Sequence, residues 1–149
     1  MKRIIMLVGI LFSLMAVPFT SFANDKTAEE KAAYEEAVSE NVKQMLKNSI
    51  ALDKINAENK TQLLEWLDVK NPPEEAVKAV EKLKALQESQ EKDQESMEPY
   101  EKAKKTCDKK LNADGANAAL ENIIRIQKDR LEDQEELKAL WKQVDKLLK

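Results

Sequence analysis

Apolar and polar residues alternate in steps of three and four from Thr27 to the end of the chain, the period of a helix that buries one stripe. Thr27 followed by Glu30 forms a capping box, and Glu29 and Glu30 suit the positive end of a helix dipole, so a helix starts there. Tyr34, Val38, Val42, Met45 and Leu46 give it an apolar stripe. The stripe continues less cleanly through Leu52 and Ile55 and then meets Asn56, Asn59 and Thr61. The pattern predicts a first helix over about 27–56, open to interruption near Asn48-Ser49, and a short second helix over about 60–69 carrying Leu63, Leu64, Trp66 and Leu67.

Asn71-Pro72-Pro73-Glu74 predicts the next start, with Asn71 as N-cap, Pro72 at the first helical position and Glu74 at the third. Ala76, Val77, Val80, Leu83 and Leu86 form its stripe, and only glutamines hold the inward positions between Gln87 and Glu98. Pro99 kinks or breaks this helix, because it has no N–H for the carbonyl of Glu95. Tyr100, Ala103, Cys107 and Leu111 then resume the stripe, giving a helix over about 72–111 kinked at Pro99. Asn112-Ala113-Asp114-Gly115 is the clearest turn. The last helix, about 116–148, carries Leu120, Ile124, Gln127, Leu131, Gln134, Leu137, Trp141, Val144 and Leu148 at near-heptad spacing.

A short turn between two long helices implies an antiparallel hairpin. With the turn centred near residue 114, facing residue numbers sum to about 228, which sets Met97 against Leu131, Gln94 against Gln134 and Val80 against Leu148. A helix of about 33 residues is about 50 Å long, against about 35 Å for a compact globule of this size. The fold class expected is all-α: an elongated helical bundle built on a long antiparallel, coiled-coil-like hairpin.

Composition narrows the function classes. With 2 Gly and 4 Pro in 149 residues, sandwiches, barrels and Gly-rich nucleotide-binding folds are disfavoured. There is no His, which removes the commonest general base and zinc ligand, and a single Cys excludes an intrachain disulfide. No catalytic residue, metal ligand or cofactor site is expected, and the chain reads as no enzyme.

Residues 1–23 have the organisation of a secretory signal peptide: Lys2-Arg3, an apolar run from Ile4 to Val17, then Pro18 and Ser21-Phe22-Ala23 before a polar chain. Cleavage is expected after Ala23, leaving 24–149 as one all-α domain in an exported protein. The bacterial periplasm is the expected compartment; a secreted form or an uncleaved N-terminal anchor is the alternative. Loss of Lys2 and Arg3 leaves 23 basic residues against 28 acidic, moving the net charge from −3 to −5. A mildly acidic chain has no overall attraction for nucleic acid.

Several constellations carry candidate chemistry. From Lys110 to Glu121, Asn112, Asp114, Gly115 and Glu121 match positions 3, 5, 6 and 12 of a calcium loop, but Lys110 stands where the first carboxylate belongs, and a plain turn accounts for the same residues. Asp129, Glu132, Asp133, Glu135 and Glu136, with Glu91, Asp93, Glu95 and Glu98 across the hairpin, read as a solvated face beside Lys92, Lys128 and Arg130. Lys102, Lys104, Lys105, Lys109 and Lys110, with Arg125 and Lys128 nearby, make a basic tip that suits an anionic surface, lipid or protein, or is simply solvated. Gln94 and Gln134 are weak packing points where a partner helix could enter. Trp141 lies on a basic amphipathic C-terminal stretch that either packs as core or lies on a membrane. Cys107 is a buried thiol or the site of an intermolecular disulfide. Asn59-Lys60-Thr61 is a glycosylation triplet that matters only in a eukaryotic setting, and the short leader looks bacterial.

These readings point to a non-enzymatic exported helical protein that binds other proteins of the cell envelope through its hairpin, as a chaperone-like or secretion-machinery accessory factor. In outline it resembles periplasmic chaperones and small helical components of secretion machines, although the paired Leu-Thr-x-x-Gln motifs of one such chaperone family are missing. The alternative is a spacer at the membrane surface, touching it through the basic tip or the C-terminal helix. A coiled-coil homo-oligomer is compatible with either.

Overall fold

A computed structural model describes residues 27–149, so the segment read as a signal peptide lies outside the described residues. The described chain forms three helices: α1, Ala28–Leu67; α2, Glu74–Lys110; and α3, Ala113–Leu147. Helix accounts for 91% of it, with no strand among the described residues, so the chain is an all-α helical bundle. At 1.5 Å per residue the helices are about 50–60 Å long.

α1 starts as its sequence predicts. Thr27 Oγ1 accepts from the Glu30 N–H at 3.1 Å, and Glu30 Oε2 accepts from the Thr27 N–H at 2.9 Å. The two expected N-terminal helices are instead one, of 40 residues, uninterrupted at Asn48-Ser49 and between 56 and 60. The polar residues that would break it turn inward. Ser49 Oγ donates to the Met45 carbonyl one turn back at 3.0 Å, and Asn56 and Asn59 bond to a neighbouring helix.

The junction before α2 differs from expectation. Pro72 cannot open the helix because it precedes Pro73, and the residue before a proline is pushed out of the α region. Asn71 takes a left-handed conformation, φ 54°, that turns the chain, a conformation Asn tolerates better than most residues. Pro73 is therefore the N-cap, its carbonyl accepting from the N–H groups of Ala76 and Val77 at 3.0 and 3.1 Å. Further on, Pro99 does not end α2. It faces solvent, where water can serve the carbonyl of Glu95.

The hairpin turn is tighter than predicted. Leu111 closes α2 in a left-handed conformation, φ 52°, and Asn112 caps α3, its Oδ1 accepting from the Gly115 N–H at 3.0 Å. Gly115 therefore sits in the first turn of α3. An added Cβ there would lie 2.7 Å from Cys107 Sγ and 2.8 Å from Asn112 Nδ2, so glycine is used for close approach of two helices rather than for a positive φ. Because the turn centres earlier, the register shifts by one helical turn. Gln94 meets Arg130 and Gln90 meets Gln134, so facing numbers sum to 224 and Gln94 does not take Gln134 as its partner.

α3 packs against both other helices, whereas α1 and α2 touch each other far less. Contacts between α1 and α3 climb together, from Ala37 with Asn117 through Ser49 with Gln127 to Asn59 with Gln134, so these two run parallel and α2 runs antiparallel to both. The core falls into two apolar clusters. One, at the hairpin-turn end, joins Tyr34, Val38, Val42 and Met45 to Met97 and to Leu120, Ile123 and Ile126. The other joins Ala79, Val80 and Leu83 to Leu137, Trp141 and Val144, with Leu63 and Trp66 against it.

Candidate functional site

Between the two clusters lies a buried polar belt. Gln134 is its centre: Oε1 accepts from Asn59 Nδ2 at 2.8 Å, and Nε2 donates to Asn56 Oδ1 at 3.2 Å and to Gln90 Oε1. One turn earlier, Arg130 donates through Nη1 to Gln94 Oε1, and Gln90 Nε2 donates to the Arg130 carbonyl at 3.1 Å. Next comes Gln127, whose Nε2 donates to Ser49 Oγ at 3.0 Å and to the Met45 carbonyl at 3.2 Å. All three helices contribute, so these amides hold the helices to one another. Gln94 and Gln134 are consequently not entry points for a partner helix.

Arg130 departs most from its sequence reading. Expected beside surface carboxylates, it is 1% exposed and forms no ion pair with the described residues. Burial lowers its pKa from the ordinary guanidinium value, and the charges of Asp93 and Asp53 oppose that shift from a distance. Burial likewise raises the carboxyls of Asp53 and Asp93; around Asp93 the charges of Asp133 and Asp129 add to the rise, and Arg130 counters it. Arg130 Nε and Gln127 Oε1 have no hydrogen-bond partner among the described residues. The buried positions Gln127, Arg130, Gln134, Leu137, Trp141 and Val144 keep an unbroken three-and-four spacing, and that spacing was the signal available in the sequence.

At the hairpin-turn end, the expected lysine patch divides. Lys104 is buried, 7% exposed, with Nζ 2.7 Å from Asp108 Oδ2. Tyr34 of α1 donates to the other oxygen of the same carboxylate, tying the start of α1 to the end of α2. Burial first, and Asp108 second, push the Tyr34 phenol far above its usual range, so it stays protonated as the donor. Lys104 therefore cannot serve an external surface. Lys102 is exposed and paired with Glu98 at 2.8 Å; that hydrogen bond holds the Glu98 carboxyl below, and the Lys102 ammonium above, their usual values. Lys105, Lys109 and Lys110 are exposed and form no ion pair with the described residues.

Trp141 is core, so the C-terminal stretch presents its apolar face to α2 and not outward. Cys107 is half-buried beside Gly115. Residues 113–121 are helical, so the resemblance to a calcium loop does not survive folding. Asn59 is buried and bonded, which closes it to glycosylation in the folded chain. Among the described residues no group of three or more Cys, Asp or Glu is arranged to hold a metal, and no helix is long and apolar enough to cross a membrane. A shallow groove of about 450 Å³ between α1 and α3 is lined by Asn41, Gln44, Ile124, Arg125, Lys128 and Asp129, of mixed charge.

Compared with protein-family models, curated proteins and solved structures, the chain matches none.

Proposed function

We propose that this chain is a non-enzymatic, exported helical protein that binds an acidic protein partner of the cell envelope through the lysines at its hairpin-turn end. The observation that carries the reading is the division of the tip. Lys104 is locked inside with Asp108 and Tyr34, which fixes the end of α2, while Lys105, Lys109 and Lys110 stand outside on that fixed end, none in an ion pair with the described residues and Lys105 feeling a neighbouring anion, Glu101. Exposed cations held on a rigid element favour fast, oriented encounter with an anionic surface. The buried amides and Trp141 serve the bundle itself, which leaves recognition to the surface.

The test is affinity capture of the tagged protein from cell envelopes, beside a variant carrying Lys105→Gln, Lys109→Gln and Lys110→Gln. The expected result is a co-purifying acidic protein that the variant loses and that moderate salt weakens. Capture unchanged by the variant contradicts the reading. Co-sedimentation with anionic vesicles, lost in the same variant, would support the spacer at the membrane surface instead.

A further inference from the structure

Three of the large apolar side chains exposed among the described residues lie on α1: Ile50 at 56%, Leu64 at 65% and Leu67 at 76%. Ile50, Ala57 and Leu64 follow at steps of seven, which on a helix drift by only about 20° per step and so form one exposed line. The unbroken course of α1 through 56–60 makes this line continuous.

The charges beside that line reverse sign close to Ala57. On one side run Lys47, Lys54, Glu58 and Glu65, two cations and then two anions, all exposed. On the other side Asp53 precedes Ala57 and Lys60 follows it, so the signs swap again. A two-fold axis at Ala57 sets Ile50 against Leu64 of a second copy; it brings Lys54 to within two residues (about 3 Å) of level with the copy's Glu58, Lys47 likewise with its Glu65, and Asp53 to within one residue of level with its Lys60, offsets that long side chains span. The small Ala57 meets itself at the axis, where two helices approach most closely. A partner of different sequence gives no reason for the signs to reverse midway along the line; a second copy lying antiparallel does.

We infer that the outer face of α1 is a self-association surface, on which a second copy of this chain packs its own α1 antiparallel about Ala57. This inference does not rest on the hairpin-tip reading. The contact spans about 18 residues, or about 27 Å of helix. That is short against a standard interface, so the dimer forms at about micromolar to millimolar concentration.

Sedimentation equilibrium of the purified protein from about 10 μM to 1 mM tests it. A monomer–dimer equilibrium is expected. Leu64→Glu weakens it at least about tenfold while far-UV circular dichroism stays unchanged, since the side chain is exposed. Lys54→Glu also weakens it by setting like charges opposite, and Lys54→Glu with Glu58→Lys recovers the dimer, because each new charge faces its new opposite. The tip variant with Lys105, Lys109 and Lys110 replaced by Gln dimerises as the parent does. A monomer throughout the range, or a dimer indifferent to Leu64→Glu and to the charge reversal, overturns the inference.

Discussion

Around Leu120, near the hairpin turn, the three helices meet through aliphatic and aromatic side chains; around Gln134, midway along, they meet through amides and a guanidinium. The two regions do different things. Apolar contact is non-directional and accumulates with area, so the end clusters supply the driving force but tolerate other alignments of similar shape. Buried amide bonds are directional, and a slip of α3 by one turn would part Gln134 from both Asn59 and Gln90. The belt thus selects which residues face each other, and the clusters make the chosen arrangement stable.

That contrast can be broken experimentally. Leu120→Ala and Leu137→Ala remove wholly buried side chains from the two clusters. Each should lower unfolding free energy in urea by about 2–5 kcal/mol. Gln134→Leu leaves the Asn59 amide and Gln90 without their partner, and a loss of about 1–3 kcal/mol is expected. The double change Arg130→Met with Gln94→Leu removes a desolvated charge together with its acceptor. Stability unchanged, or raised by about 1–4 kcal/mol, is the expected outcome in the same titration. If it instead fell as far as in Leu137→Ala, the belt would be a source of driving force and the contrast would fail.

Smaller effects sharpen the picture at the hairpin-turn end. Gly→Ala inside a helix normally gains up to about 1 kcal/mol, but at Gly115 the new methyl meets Cys107 Sγ. Gly115→Ala should therefore show no gain in thermal midpoint, and Cys107→Ala in the double variant should recover only part of it, because the contact with the Asn112 amide at 2.8 Å remains. Glu101 gives the smallest and most pH-specific effect. Burial raises its carboxyl above the ordinary range, so the folded chain holds this proton more tightly than the unfolded one. Stability from this group consequently falls as pH rises through that range. Glu101→Gln should raise the thermal midpoint slightly at pH 7 and leave it unchanged at pH 3.

Much of the fold was legible from residue pattern. The Thr27 capping box, the hairpin at Asn112 and the inward run of Leu120, Gln127, Gln134, Leu137, Trp141 and Val144 all appear in the structure, because each rests on local spacing or capping. What was misread depends on neighbours distant in sequence. Ser49, Asn56 and Asn59 look like helix breakers until α3 offers them partners, and only then does α1 run unbroken to Leu67. Arg130 and Lys104 look like surface charges because burial of a cation is costly; that Gln94 would receive Arg130 follows from a register fixed by a turn centred earlier than its sequence suggested, whereas Lys104 meets Asp108 one turn on in α2, where Tyr34 of α1 joins the same carboxylate. The free lysines of the tip were visible as charges, but which of them stay outside was not. On α1 the sign reversal about Ala57 was present in the sequence and gained meaning only once the helix proved continuous.

Gln134 is held by Asn59 across the α1–α3 contact rather than facing a partner, and that bond anchors the belt. A double-mutant cycle with Asn59→Ala and Gln134→Ala, read by urea unfolding, measures that contact directly. A coupling of about 0.5–3 kcal/mol is predicted. Additive losses, with no coupling, would mean that the two side chains do not meet, and the parallel alignment of α1 on α3 would be wrong.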